Sequence, residues 1–190
     1  MTQHRSSSAR PATAGPWVID TRDIGRRPGS SRRYERSAPL THEIGFEPVV
    51  AIPAGRDVHF EALAESVVEG VLISGSATAE LDGECARCLD PLVETVDVDF
   101  TELFAYPDSA TEQTTDDGEV LRLIADLADL EPVIRDAIVL ALPQAPLCSP
   151  DCQGLCPGCG ARWADLGPDH GHETIDPRWA GLRDRFGAGG

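Results

Sequence analysis

The sequence contains neither lysine nor asparagine, so arginine supplies every permanently positive side chain. Without lysine there is no phosphate-binding loop of the G-x-x-x-x-G-K-[ST] type and no lysine for Schiff-base chemistry. The catalytic patterns G-x-S-x-G and H-E-x-x-H are absent, as is the dinucleotide-binding pattern G-x-G-x-x-G. We therefore expect a protein that is not an enzyme and has no small-molecule substrate.

Aromatic residues and long apolar runs are scarce. Three Trp, two Tyr, five Phe and one Met accompany an apolar content of 41%, which predicts a core of Val, Ile, Leu and Ala. No run reaches the roughly 18 to 20 apolar residues that span a bilayer, and the N-terminus lacks the apolar stretch of a secretory signal. These absences predict a cytoplasmic protein without a membrane partner.

Negative charge dominates the chain but is unevenly distributed. The net charge is −16, yet residues 1–36 hold eight of the sixteen arginines and only three carboxylates, about +5, which leaves about −21 for the rest. Residues 1–15 are typical of a disordered tail. Residues 22–36 form a basic arm whose part from Gly25 to Arg36, rich in Gly, Pro and Ser, is typical of a flexible loop.

The basic arm is either a solvated linker or a segment that contacts phosphate. Arginine pairs bidentately with phosphate, so the arm is a candidate RNA-binding segment. The candidate RNA-binding residues are Arg22, Arg26, Arg27, Arg32, Arg33 and Arg36.

From Phe46 onward the pattern is that of short β-strands. Two segments alternate strictly between apolar and polar residues, ATAEL around residues 77–81 and TVDVDFT at residues 95–101. They predict an antiparallel hairpin whose tip carries Cys85 and Cys88. The acidic segment PDSATEQTTDDGE predicts an exposed loop, and a short strand is expected near residues 120–124.

Helical spacing follows in residues 129–142, with Asp129 placed to cap the helix and Pro132 in its first turn. Pro143 and Pro146 end it. We therefore predict an α+β fold with an antiparallel β-sheet core, one C-terminal helix and a zinc-bound cysteine-rich tail. The sheet domain comprises residues 16–146, and a zinc-binding module, residues 147–190, packs on the hairpin tip at residues 85–88.

Six cysteines and two histidines are spaced as metal ligands. Four of the cysteines lie in LCSPDCQGLCPGCG, residues 147–160, and the histidines follow in DHGH. In a reducing compartment such clusters bind metal more often than they form disulfides, and thiolate with imidazole suits zinc. The candidate ligands are Cys85, Cys88, Cys148, Cys152, Cys156, Cys159, His170 and His172.

Eight ligands are enough for two structural zinc ions, and two pairings are open. Either the hairpin cysteines share one ion with the first two tail cysteines and the histidines complete a second site, or the four tail cysteines bind a single ion. The first pairing is within reach, because a strand of about 23 Å and a helix of about 20 Å can return the chain along a strand of about 43 Å. We favour it because the second pairing leaves Cys85 and Cys88 as a lone pair and both histidines unused.

Four segments, WVIDTRDIGRRPGS, GECARCLDP, RDAIVLALP and LCSPDCQGLCPGCG, together resemble the YceD family of large ribosomal RNA subunit accumulation proteins. The resemblance covers most of the chain beyond Pro16. Many members end the tail with a C-x-C pair, and DHGH places His170 and His172 at those positions, which retains the ability to bind zinc. The resemblance implies a non-enzymatic factor needed for accumulation of large-subunit ribosomal RNA in bacteria and plastids.

The sequence thus favours a ribosome-biogenesis factor whose partner is ribosomal RNA or a large-subunit assembly intermediate. Because a body near −21 repels phosphate, RNA contact is expected to be confined to the arm and a local basic patch. Two alternatives stay open. The acidic body is an adaptor for basic ribosomal proteins, or the zinc thiolates form a redox sensor that loses metal on oxidation.

Overall fold

The computed structural model describes residues 15–107, 109–115 and 120–172. The predicted disordered tail lies outside these residues except for Gly15. Nine strands, two α-helices and a 3₁₀ helix are found in the described part of the chain. Their bounds are β1 Val18–Asp20, β2 Ser31–Pro39, β3 Ile44–Phe46, β4 Val50–Ile52, β5 Asp57–Ser66, β6 Gly70–Glu84, β7 Pro91–Ala105, α1 Ala110–Thr114, β8 Leu121–Arg122, β9 Leu127–Asp129, α2 Glu131–Ala141 and the 3₁₀ helix Trp163–Asp165.

The large sheet is built on β6, the central strand. Along one edge β6 pairs with β5 and, nearer the hairpin tip, with β4. Strand β2 pairs with the far edge of β5 and β3 with that of β4, which gives the order β2-β5-β6-β4-β3. On the other side it pairs with β7 along its whole length, from Gly70 opposite Ala105 to Glu84 opposite Pro91. All these pairs are antiparallel, and only β8 runs parallel to its neighbour β7. The predicted hairpin and the mainly antiparallel α+β architecture are confirmed.

One face of the sheet is covered by α2 and by the small antiparallel sheet of β1 and β9. Trp17 stacks on Phe60 with ring centroids 5.6 Å apart. Ile134 and Ile138 of α2 are fully buried, and each such side chain stabilises the fold by about 1.5 to 3 kcal/mol relative to exposure. This burial holds α2, and therefore the chain that follows it, against β7.

The expected flexible loop from Gly25 to Arg36 is wrong from Ser31 onward. Residues Ser31–Pro39 pair with β5 over nine positions, and Tyr34 donates a hydrogen bond to the carbonyl of Asp20. Guanidinium groups of the strand also reach toward β1, as shown by Arg36, which donates to the Val18 carbonyl. The arm is therefore an edge strand over the second half of that stretch.

Two helix boundaries also differ from the expectation. The acidic segment predicted as a loop contains the short helix α1, capped by the Ser109 hydroxyl, so the described chain has two α-helices and not one. Helix α2 begins at Glu131 because Asp129 is still paired with Val18 in the small sheet. The Asp129 carboxylate nonetheless accepts the N–H of Glu131. No helix in the described ranges is long and apolar enough to cross a membrane.

Candidate metal centres and the basic arm

The tip of the β6-β7 hairpin is a closed loop that presents two thiols, and we call residues 85–90 knuckle A. The Cys85 N–H donates to the Asp90 carbonyl, and the Leu89 N–H donates to the Cys85 carbonyl. Leu89 takes a left-handed conformation with φ of 60° to complete the turn. Cys85 and Cys88 are both buried, so their sulfurs face inward beneath the loop.

The chain after α2 brings two more thiols to knuckle A. The Ala86 N–H donates to the carbonyl of Pro146, which fixes the segment just before Cys148. The sulfurs of Cys88 and Cys148 are 3.6 Å apart, and those of Cys85 and Cys152 are 3.7 Å apart. We call this group of four cysteines site A; all its sulfurs lie within 4.8 Å of one another.

Residues 156–161 form knuckle B, which repeats the hydrogen bonding of knuckle A. The Cys156 N–H donates to the Ala161 carbonyl, and the Gly160 N–H donates to the Cys156 carbonyl. Gly160, with φ of 73°, occupies the left-handed position that Leu89 fills in knuckle A. Two segments more than sixty residues apart in sequence therefore present a C-x-x-C pair in the same way.

Knuckle B lies against the two histidines, and we call Cys156, Cys159, His170 and His172 site B. The Nε2 atom of His170 is 3.4 Å from the Cys156 sulfur and 3.6 Å from the Cys159 sulfur. The ligand atoms of all four residues lie within 4.8 Å of one another. Cys156 is buried, whereas Cys159 and His172 are exposed, so site B is closer to solvent than site A.

Residue 158 is a glycine, and the space that a larger side chain would fill is occupied by the His172 ring. A β-carbon at Gly158 would lie 2.4 Å from the His172 ring, far inside contact distance. Gly154 is constrained in a similar way, because a β-carbon there would lie 2.8 Å from the Arg87 carbonyl and its φ is +76°. These two glycines shape the tail around knuckle A and the imidazole.

The two sites are also joined directly. Arg162, which follows knuckle B, forms an ion pair with Asp90 of knuckle A. Arg87 donates to the Cys152 carbonyl at 2.8 Å, between the sites. Only three residues separate Cys152 from Cys156, and Leu155 among them packs on the core. Sites A and B are thus parts of one module seated on the hairpin tip.

The thiols of site A have divergent proton affinities. Backbone N–H groups of Cys148 and Cys88 hydrogen-bond the Cys85 sulfur and lower the pKa of that thiol to about 6. Burial raises the pKa of the Cys88 thiol to about 12. Because cysteine binds a metal ion as the thiolate, a cation that enters site A must displace the remaining thiol protons.

The spacing of both groups suits a tetrahedral zinc ion. Sulfurs about 2.3 Å from a shared ion at tetrahedral angles are about 3.8 Å apart, and a sulfur and an imidazole nitrogen are about 3.5 Å apart. The separations of 3.6 and 3.7 Å in site A and of 3.4 and 3.6 Å in site B are close to these values. The donor sets, four thiols and two thiols with two imidazoles, are also those of structural zinc sites.

The arm arginines lie on the opposite side of the fold from sites A and B, and they fall into two groups. Four have partners within the chain, and Arg27 and Arg33 form no ion pair among the described residues. The partners are Asp20 for Arg22, Asp126 and the Tyr106 ring for Arg26, Asp23 and the Tyr34 ring for Arg32, and main-chain carbonyls for Arg36. The guanidinium of Arg22 holds the pKa of the Asp20 carboxyl down, at about 2.

Several residues that shape the centres escaped the sequence analysis. Gly154, Gly158 and the Asp90–Arg162 pair were not identified, and neither was Trp163, whose ring meets His170 edge-on at 5.5 Å. One signal was present in the sequence for Gly158 and Gly160, since glycines around a C-x-x-C pair mark a tight turn. Nothing in the sequence pairs an aspartate with an arginine 72 positions away.

Relatives match along nearly the whole chain. Uncharacterized proteins of Mycobacterium tuberculosis and of Mycobacterium bovis are each 45% identical over 187 residues, which is 98% of this chain and 89% of theirs. An uncharacterized protein of Mycobacterium leprae is 40% identical over 184 residues, 97% of this chain and 84% of its own. No solved structure matches the chain.

The family model for the large ribosomal RNA subunit accumulation protein YceD matches residues 73–184. That span includes β6 from Ile73 onward, the whole of β7 and α2, and all eight residues of sites A and B. The resemblance drawn from the sequence motifs is therefore confirmed, and the chain belongs to the YceD family of large ribosomal RNA subunit accumulation proteins.

Proposed function

We propose that this protein is a non-enzymatic ribosome-assembly factor that supports accumulation of large-subunit ribosomal RNA and is folded around two structural zinc ions. The observation that carries the proposal is the coincidence of the family match, residues 73–184, with both candidate centres. The part of the chain that defines the family is the part that the two sites hold together.

The zinc is structural because each site supplies four protein ligands. A catalytic zinc keeps one coordination position open for water or substrate, whereas four protein ligands close a tetrahedral ion. In site A the thiols lie between the hairpin tip and the tail, where an ion would crosslink two segments 60 or more residues apart. The metal would fix the position of the module against the sheet.

The contact with ribosomal RNA, or with an assembly intermediate that contains it, is made by the basic arm. Arg27 and Arg33 have no competing ion pair among the described residues, and they are the first donors to phosphate. The pairs of Arg22 and Arg32 with aspartates are solvent-exposed. Exposed pairs are worth about 0 to 1 kcal/mol each, so phosphate can replace the aspartates at little cost.

Crosslinking in cells tests this assignment. The protein would be crosslinked to RNA by ultraviolet light, purified under denaturing conditions, and the bound RNA sequenced. We expect enrichment of large-subunit over small-subunit ribosomal RNA, and loss of that enrichment when Arg26, Arg27, Arg32 and Arg33 are replaced by serine. Equal recovery of both RNAs, or of neither, would contradict direct RNA contact.

A further inference from the structure

The sheet has a second face, turned away from α2 and β1, which no described element covers. We call it the outer face. Side chains on β5 alternate between the two faces, so that Val58, Phe60 and Ala62 are buried while Asp57 and Glu61 are exposed. The strand register carries this alternation across β2, β5, β6 and β7.

The outer face is acidic. Two arginines belong to this face: Arg33, on β2, and Arg56, which directly precedes β5. Arg56 is already paired with Asp82 and Glu80. Against these stand nine carboxylates: Glu35, Asp57, Glu61, Glu65, Glu80, Asp82, Glu84, Asp97 and Asp99.

One row across this face is electrostatically unfavourable in the free protein. Glu35 lies directly opposite Glu61, Glu61 opposite Ser76, and Ser76 opposite Asp99. Like charges directly opposite on neighbouring strands destabilise a sheet. Within the described part of the chain, the carboxylates of Glu35, Glu61 and Asp99 accept no hydrogen bond and form no ion pair. The sheet thus tolerates a repulsion that a cation would relieve.

The shape of the face suits an extended chain. The central strand β6 contributes only the small hydroxyl side chains Ser74, Ser76 and Thr78 to the middle of the face. Beside this floor of hydroxyl side chains stand His59, Glu61 and Leu63 of β5 and Asp97, Asp99 and Thr101 of β7, so carboxylates occupy three of the six flanking positions and lie on both sides at Ser76. Two adjoining depressions of about 560 and 410 Å³ lie over β2, β5 and β6, and the larger reaches Asp99 of β7.

We propose that the outer face is a docking surface for a basic partner protein, which places an extended segment rich in arginine or lysine along β6. The guanidinium or ammonium groups of that segment neutralise Glu35, Glu61 and Asp99. Its main chain and the stems of its side chains lie over the hydroxyls of the floor. Complementary charge also steers the approach of such a partner and makes binding depend on ionic strength.

The charge of the face decides between possible occupants. Ribonucleic acid would bring phosphates against nine carboxylates, and a second copy of this chain would bring another net charge of −16. A basic polypeptide is the occupant whose charge has the required sign. The outer face shares Arg33 and Glu35 of β2 with the basic arm. The proposed contacts are made by carboxylates and not by the arm arginines, so the inference does not depend on RNA binding by the arm.

Peptide binding to the zinc-loaded full-length protein tests the inference. The probe is a fluorescent peptide of alternating arginine and serine, with an alternating glutamate and serine peptide as its counterpart, and the measurement is anisotropy. The row variant is Glu35→Gln/Glu61→Gln/Asp99→Asn. The matched control is Glu43→Gln/Glu47→Gln/Asp136→Asn, which removes the same charge at exposed positions elsewhere.

The basic peptide is expected to bind the parent protein and the control variant alike, and to bind the row variant roughly tenfold more weakly, since three exposed charge contacts are lost. The row variant should melt no lower than the parent, because the repulsion between carboxylates is removed. Equal weakening in both variants would reduce the effect to net charge and overturn the proposal. So would absence of peptide binding at low ionic strength, or an RNA oligonucleotide whose affinity falls in the row variant.

Discussion

Asp90 and Arg162 form an ion pair that joins the two C-x-x-C knuckles. The Asp90 carbonyl closes knuckle A by accepting the Cys85 N–H, and Arg162 follows Ala161, the residue that closes knuckle B in the same way. The Arg162 side chain is 48% exposed and that of Asp90 is 25% exposed, so the pair itself adds little stability. It shows instead that the two knuckles lie side by side, with a group of candidate metal ligands at each.

Sites A and B should each bind one metal ion, independently of the other. We expect two zinc ions per purified chain and one in the Cys85→Ser variant, because that substitution removes a ligand from site A only. Cys156→Ser, which removes a ligand from site B, should also retain one. The measurement is elemental analysis of the purified proteins. One zinc in the parent and in Cys85→Ser alike would contradict the two-site arrangement.

Gly158 offers a selective test of site B. In Gly158→Ala the new β-carbon would lie 2.4 Å from the His172 ring, so the imidazole must move away from the thiols. We expect weaker zinc retention at one site of two when the protein is titrated with a chelator, with site A unaffected.

Gly167→Ala is the matched control, because a β-carbon there meets nothing within 4 Å and the residue has an ordinary φ. It should retain zinc as the parent does. Identical chelator titrations for Gly158→Ala and Gly167→Ala would show that His172 is not a ligand.

Metal removal should loosen the module and spare the sheet. Binding of structural zinc supplies about 10 kcal/mol or more of folding free energy in small zinc domains, and residues 142–172 contribute few fully buried apolar side chains. Trp163 lies beside His170, whereas Trp17 is buried in the sheet core. Chelation should therefore change the fluorescence of Trp163 while the β-sheet signal in circular dichroism persists. In a Trp179→Phe background, which leaves Trp17 and Trp163 as the two tryptophans, the further substitution Trp163→Phe should abolish the fluorescence change. Loss of the sheet signal on chelation would contradict a separable module.

The arm should show a graded dependence on salt. Arg27→Ser/Arg33→Ser removes the two arm arginines that form no ion pair within the described part of the chain. We expect the slope of log affinity for ribosomal RNA against log salt to fall by about two if each displaces one counterion. Arg22→Ser/Arg32→Ser, which removes two paired arginines, should lower the slope less, since each must first leave an aspartate. Unchanged slopes in both variants would mean that the arginines contact no phosphate.

The hairpin and α2 could be predicted because their apolar residues repeat with the periods of a strand and of a helix. Strand β2 could not, because Arg32, Tyr34 and Arg36 point toward β1 where apolar side chains would be expected. Their guanidinium and hydroxyl groups are satisfied by carbonyls and carboxylates from distant segments. Local sequence gives no sign of those partners, so the strand resembles a polar loop.

The grouping of the metal ligands was only partly accessible from spacing. Spacing identified all eight residues but left two pairings, because the four tail cysteines are as close in sequence as a single site requires. In the folded chain the first pairing is the one that forms, because a hydrogen bond outside the cysteine motifs brings the tail to the hairpin. The Pro146 carbonyl accepts the Ala86 N–H and places Cys148 against the hairpin tip. Whether these residues bind zinc stays a prediction that the metal analysis will test.

The proposed role in accumulation of large-subunit ribosomal RNA is tested by the ratio of large-subunit to small-subunit ribosomal RNA in cells depleted of this protein. We predict that the ratio falls on depletion, that the parent gene restores it, and that a Cys85→Ser/Cys156→Ser variant made at equal level does not. An unchanged ratio in depleted cells would contradict a role in large-subunit RNA accumulation. Full restoration by the double variant would contradict a requirement for the two metal sites.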